Sequence, residues 1–254
     1  MRKWYLCINE KGFKSSVEMI RAAVNSARAN TDLVPHCVYS GEDASHISEL
    51  ENMGIKVIRH RSTFEDDLRF AYGKEYDTFS GHWLRIDLPV LEEEDEYILY
   101  TDNDVIFLAP PEDIKPNLIA AAPEFDQKKL TYFSSGVLVM NVNGMREVRA
   151  PFLEQIKSRL RGDFRYPAHD QQSFNKFFYG SYDHLPLTMN WKPFWGISDD
   201  ARIVHFHGPK PLHARMLANG GGDRFMPIYK ELWQKSPEAY AKYSDLYDEY
   251  KNKN

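Results

Sequence analysis

Short apolar runs alternate with stretches of helical spacing along the first sixty positions. Residues 3–8 (Lys-Trp-Tyr-Leu-Cys-Ile) form a run suited to a buried strand, and residues 34–39 form a second. Ser15-Ser-Val-Glu18 has the pattern of a capping box, predicting a helix that carries Val17, Ile20, Val24 and Ala27. A second helix is expected over 44–53, ended by Gly54, and a third strand over 56–59. This strand–helix order predicts an α/β fold with a mostly parallel, Rossmann-like sheet flanked by helices.

Residues 63–78 are charged without clear periodicity and are expected to form a loop. Leu84, Leu88 and Leu91 predict a helix over 79–91 with Pro89 kinking its end. An acidic run, 92–96, precedes Tyr97-Ile-Leu-Tyr100, which reads as a central strand. Further strands are expected at 118–122, 136–141 and 203–207, and helices at 145–160 and 171–179. The chain after Gly220 reads as a helical tail. Neither a repeat nor a low-complexity linker divides the sequence, so the expectation is one domain over 1–254.

Composition narrows the function. A net charge of −5 gives no general cationic field, so no nucleic-acid partner is expected. No apolar run reaches the roughly 20 residues a membrane-spanning helix needs. The first residues lead straight into a strand pattern without a signal-peptide core. A cytoplasmic protein is expected, with peripheral membrane attachment left open. Cys7 and Cys37 sit inside apolar runs and read as buried free thiols.

The chemistry concentrates at two places. Asp102-Asn103-Asp104 follows the strand at 97–100, and another apolar run follows at 105–108. In extended chain, residues i and i+2 share a face, so the two carboxylates can converge beyond a strand end. Bridged by a divalent cation, they become a diphosphate clamp. The second place is Arg202-Ile-Val-His-Phe-His-Gly-Pro-Lys-Pro-Leu212, where an imidazole at a strand end precedes a turn and a lysine. A neutral imidazole can complete a metal site, and a lysine can meet a phosphate as a point charge. Strand alternation puts His205 and His207 on one face, leaving either as the ligand.

Five segments, in order, resemble those of glycosyltransferase family 8, the GT-A-fold group that includes bacterial lipooligosaccharide galactosyltransferases and glycogenin. They are Trp83-Leu-Arg-Ile-Asp-Leu-Pro89, Tyr97-Ile-Leu-Tyr-Thr-Asp-Asn-Asp-Val105, Phe133-Ser-Ser-Gly-Val-Leu-Val-Met-Asn141, His169-Asp-Gln-Gln-Ser-Phe-Asn175 and His205-Phe-His-Gly-Pro-Lys-Pro211. The resemblance implies a hexosyltransferase that uses a UDP-hexose donor and a saccharide or glycoconjugate acceptor, with retention of configuration. It implies Mn²⁺, or Mg²⁺ in its place, held by Asp102, Asp104 and His205, the spacing from Gly208 selecting His205. Lys210 matches the phosphate-binding lysine, and Asp170 and Gln171 the pair beside the reacting carbon. Arg85, Asn103, Glu124, Ser134, Ser135 and Gly208 are assigned to the donor. On this reading residues 1–104 are the nucleotide-binding half, 105–212 the acceptor and sugar half, and 213–254 a helical tail.

The chain departs from the pattern in four places. The lysine segment is one residue short, Gln172 replaces a second Asp, and Leu212 stands where an aromatic is usual. The first loop offers Asn9, whose amide is expected to meet a base edge. Two rivals share part of these features. One is a non-catalytic nucleotide-sugar or glycan-binding relative. The other is an Asp-dependent phosphatase using Asp102 and Asp104, which would need a later Gly-Asp pair; Gly162-Asp163 and Gly222-Asp223 lack its spacing.

Overall fold

The computed structural model describes residues 2–162, 169–222 and 224–253; Asp163 and Asp223, weighed for the phosphatase reading, lie outside them. The chain packs into two compact units, each assembled from three segments. Unit one contains residues 1–15, 34–101 and 113–185, and unit two contains 16–33, 102–112 and 186–254.

Unit one is built on a seven-stranded sheet. Its strands are β1 (Lys3–Asn9), β2 (Val34–Ser40), β3 (Lys56–Arg59), β4 (Tyr97–Thr101), β6 (Ile119–Pro123), β7 (Phe133–Asn141) and β8 (Asp183–His184). Their spatial order is β3-β2-β1-β4-β7-β6-β8. The first four are parallel, as the alternating pattern predicts, whereas β7 runs antiparallel to both neighbours. Trp4 to Ile8 are all buried, which is why this run shows no polar alternation: a central strand is covered on both faces.

The helix α1 (Glu10–Asn30) begins directly after β1, five residues before the expected capping box. Asn9 explains the early start. Its Oδ1 accepts the Gly12 N–H at 2.9 Å, the N-cap to N3 bond of a helix entrance. The helix α2 (Ala44–Asn52) is capped by Asp43, which accepts from the Ser45 amide, and Gly54 turns out of it at φ 76°.

The expected loop at 63–78 is instead helical: α3 (Glu65–Tyr72), a 3-10 turn, then α4 (Tyr76–Trp83). Phe64, Leu68, Tyr72 and Tyr76 recur every four residues and are buried, so an apolar stripe ran beneath the charges. The helix expected over 79–91 is broken by a 3-10 turn at Leu84–Asp87, and Pro89 sits in the first turn of α5 (Leu88–Leu91). The later helices are α6 (Val142–Glu147), α7 (Arg149–Arg161) and α8 (Asp170–Phe177), so the single helix predicted over 145–160 is two.

Unit two holds β5 (Val105–Phe107) paired antiparallel with β9 (Ile203–His205), and α9 (Pro211–Ala218), α10 (Pro227–Lys235) and α11 (Pro237–Lys251). Tyr243 and Tyr247 of α11 join Ile106, Val204 and Phe206 in one buried cluster. The last helix is therefore core, one turn per tyrosine, rather than an appendage.

Candidate functional site

The pairing of β5 with β9 sets Val105 opposite His205. One residue beyond the pair, the Phe206 amide donates to the Asp104 carbonyl at 2.9 Å, which pins Asp104 beside the histidine. Asp102, Asp104 and His205 each offer a ligand atom, and these atoms lie within 4.8 Å of one another. His205 Nε2 stands 3.4 Å from Asp104 Oδ1 and 3.9 Å from Asp102 Oδ2. Its Nδ1 is 3.0 Å from Asn190 Oδ1.

The turn after β9 separates the two histidines. His207 donates its amide to the His205 carbonyl, and its ring centroid is 5.5 Å from that of His205. Only His205 joins the three-ligand cluster found among the described residues. Gly208 then turns the chain at φ 85°, where a Cβ would come within 2.6 Å of Leu232 Cδ1. The segment, though one residue short, delivers Lys210 to the cluster: its ammonium donates to the Asp104 carboxylate and, at 3.0 Å, to the Phe206 carbonyl.

Charge follows from this packing. Burial alone would raise the Asp104 pKa, but Lys210 and His205 hold it far below the ordinary carboxylate range. Burial acts to lower Lys210, and Asp104 more than reverses that, raising it. Burial lowers His205, favouring the neutral imidazole a metal needs. Two carboxylates and one imidazole could hold a divalent cation, and the ammonium on Asp104 already supplies a positive charge there.

In unit one a second set of predicted residues comes together. Arg85 is buried, lies over the Tyr100 ring at 4.5 Å, and donates through Nη1 to the Ser135 carbonyl at 2.7 Å. Its Nε is 3.2 Å from Asp170 Oδ2. Gln171 Oε1 accepts from the Ser135 amide at 2.9 Å. Ser134 is not part of this set: consecutive strand residues face opposite sides, and its buried hydroxyl accepts from the Gly136 amide. Glu124 is buried at the β6 end, its amide bonded to the Tyr132 carbonyl, and Asn103 is half-buried between the two aspartates.

Two residues outside the predicted set organise these groups. Asn175 accepts the Phe133 amide and donates to the Phe133 carbonyl, both at 2.8 Å, clipping α8 to the start of β7. It stood in the segment beginning His169-Asp-Gln, so sequence marked the residue without its job. Asn190 carried no signal, lying fifteen positions from the histidine it meets.

A cavity of about 610 Å³ lies at the carboxyl ends of β1 and β2, with Asn9, Glu10, Arg61, Arg69 and Tyr76 among its walls. Asn9 is less available than expected. Its Nδ2 donates to the Asp77 carbonyl and to Ser80 Oγ, and its oxygen caps α1. Both amide hydrogens are spent, leaving one oxygen lone pair to offer a base.

No protein-family model matches the chain. The architecture is the GT-A glycosyltransferase fold, as the five segments implied. The glycosyltransferase GlyE of Streptococcus pneumoniae TIGR4 matches with TM-score 0.60 at 16% identity, over 98% of this chain and 62% of that one. The galactosyltransferase LgtC, solved with donor and acceptor sugar analogues, matches with TM-score 0.57 at 17% identity, over 91% of this chain and 95% of that one. Glucoside xylosyltransferase 1 of Homo sapiens is 28% identical over 152 residues, 50% of this chain and 30% of that protein. The chain thus spans about a third of its curated relatives' length, and those relatives and structural neighbours are glycosyltransferases. Among the described residues no helix is long and apolar enough to cross a membrane.

Proposed function

We propose that the protein transfers a hexose from a UDP-sugar to a saccharide or glycoconjugate acceptor, with a divalent cation, Mn²⁺ before Mg²⁺, and with retention of configuration. The observation that carries the reading is the convergence of Asp102, Asp104 and His205 beside Lys210 at the carboxyl end of a strand. When bound, the cation would be held by those three residues and would neutralise charge on the departing diphosphate. Lys210 adds a second positive charge, the kind of fixed electrostatic stabilisation that dominates such reactions. Arg85, Gln171 and Ser135 form a hydrogen-bonded platform beside Asp170, and the reading assigns Asp170 and Gln171 to the reacting sugar carbon. Glu124, Asn103 and Gly208 are assigned to the donor with them, and Ser134, on the opposite face of its strand, is left out. The cavity beside Asn9 is assigned to the nucleoside, where a lone acceptor suits a ring N–H such as that of uracil.

The test is release of UDP from a panel of UDP-hexoses, with Mn²⁺ and with chelator, against the Asp102→Asn and Asp104→Asn variants. Metal-dependent release lost in both variants is the expected result. Equal release with chelator present, or none with any nucleotide-sugar that the protein binds, would overturn it.

A further inference from the structure

A metal-binding histidine must present one nitrogen as a lone pair, and its other nitrogen decides which. Asn190 closes the 3-10 turn Leu187–Asn190 and is fully buried. The backbone on either side of it is fixed to β9: the Arg202 amide donates to the Thr188 carbonyl, Trp191 to Ile203, and His205 to Trp191, each at 2.8 Å. This short parallel ladder leaves the Asn190 side chain little freedom, and it meets His205 Nδ1 at 3.0 Å. With Oδ1 facing Nδ1, the amide accepts the Nδ1 proton, and Nε2 is left as a lone pair 3.4 Å and 3.9 Å from the two aspartates. The amide's other end, Nδ2, is buried without a hydrogen-bond partner among the described residues.

We propose that Asn190 is a positioning residue for the cation site: its side-chain carbonyl holds the Nδ1 proton of His205 and so fixes the tautomer and ring angle in which Nε2 faces Asp102 and Asp104. This rests on the metal reading of those three residues. Outer partners of metal-bound histidines act in this way, and their loss typically weakens metal binding about 10–100-fold.

Calorimetric titration of Mn²⁺ into the donor-free protein measures the effect without turnover. Asn190→Leu is expected to bind about 10–100-fold more weakly, and Asn190→Asp, which keeps an acceptor, to recover most of the loss. Nitrogen-15 histidine spectra of the wild-type protein with diamagnetic Mg²⁺ test the same point with no variant: His205 should show a protonated Nδ1 and an unprotonated Nε2. Unchanged Mn²⁺ affinity in folded Asn190→Leu, or a protonated Nε2 in the Mg²⁺-loaded protein, would overturn the assignment while leaving the metal site standing. Wild-type protein that takes up no Mn²⁺, like Asp102→Asn, would instead remove the metal reading itself.

Discussion

Lys210 has two jobs that a single substitution separates. Its ammonium sits on the Asp104 carboxylate, one of the three groups proposed to hold the cation. At an effective dielectric near 20, two unit charges about 4 Å apart interact by roughly 4 kcal/mol. The lysine also bonds the Phe206 carbonyl and can shift on its four-carbon stem, so only part of that opposes an incoming metal. Taking about a third, ~1.4 kcal/mol, Lys210→Ala should tighten Mn²⁺ binding in donor-free protein about tenfold. On the proposed function the same change removes the charge assigned to the departing diphosphate and should lower transfer on the order of 10²-fold. Calorimetry with Mn²⁺ alone, beside initial rates at saturating metal, reads the two effects. Opposite signs are the signature. If metal affinity and rate both fell, Lys210 would be a support for Asp104 and the charge argument would be refuted.

Three further outcomes follow from particular contacts. Asn175→Ala strands both backbone groups of Phe133 and should cost about 2–3 kcal/mol; a drop of roughly 5–10 °C in thermal midpoint checks it, and an unchanged midpoint would mean α8 docks without the clip. Gly208→Ala forces a Cβ onto Leu232 at a positive φ and should weaken Mn²⁺-dependent donor binding by displacing Lys210, measured by calorimetry, with wild-type affinity refuting it. Burial raises the Glu92 carboxyl, but hydrogen bonds from Lys3, Tyr5 and the Asp95 and Glu94 amides outweigh it and bring the pKa to about 2. Its folded value lies below its unfolded one, so its contribution is present above about pH 4.5 and fades as pH falls toward 2, by at most ~3 kcal/mol; denaturant melts at pH 7 and pH 3 should differ less in Glu92→Gln than in the wild type.

The alternation of strands and helices in the first sixty residues was legible because each parallel strand is a continuous apolar run. Asp102 and Asp104 were legible for the same reason: β4 ends abruptly and polarity marks where. Strand direction was not, since β7 looks the same in sequence whichever way it runs. The helix α3 was hidden because its first turn is densely charged, Glu65, Asp66 and Asp67 together, and masked the four-residue stripe. Asn9 shows a subtler limit. Its amide was expected to meet a base edge, but an amide at a strand end with a helix starting at once gives its oxygen to the helix and its hydrogens to Asp77 and Ser80. Asn190 could not be found at all, because a contact across fifteen residues through a 3-10 turn leaves no spacing to recognise.

The tyrosines of α11 change how the chain can be engineered. Tyr243 and Tyr247 cluster with Val204 and Phe206, the residues on either side of the candidate ligand His205, and with Ile106 on the paired strand. A shortened clone ending before Pro237 would keep every candidate ligand and still lose the floor on which β5 and β9 rest. Nor can the ligands be grafted elsewhere as a loop, because the unit that holds them is sewn from three distant stretches of chain. Its natural cassette is the whole unit, and the helix Pro237–Lys251 belongs inside it.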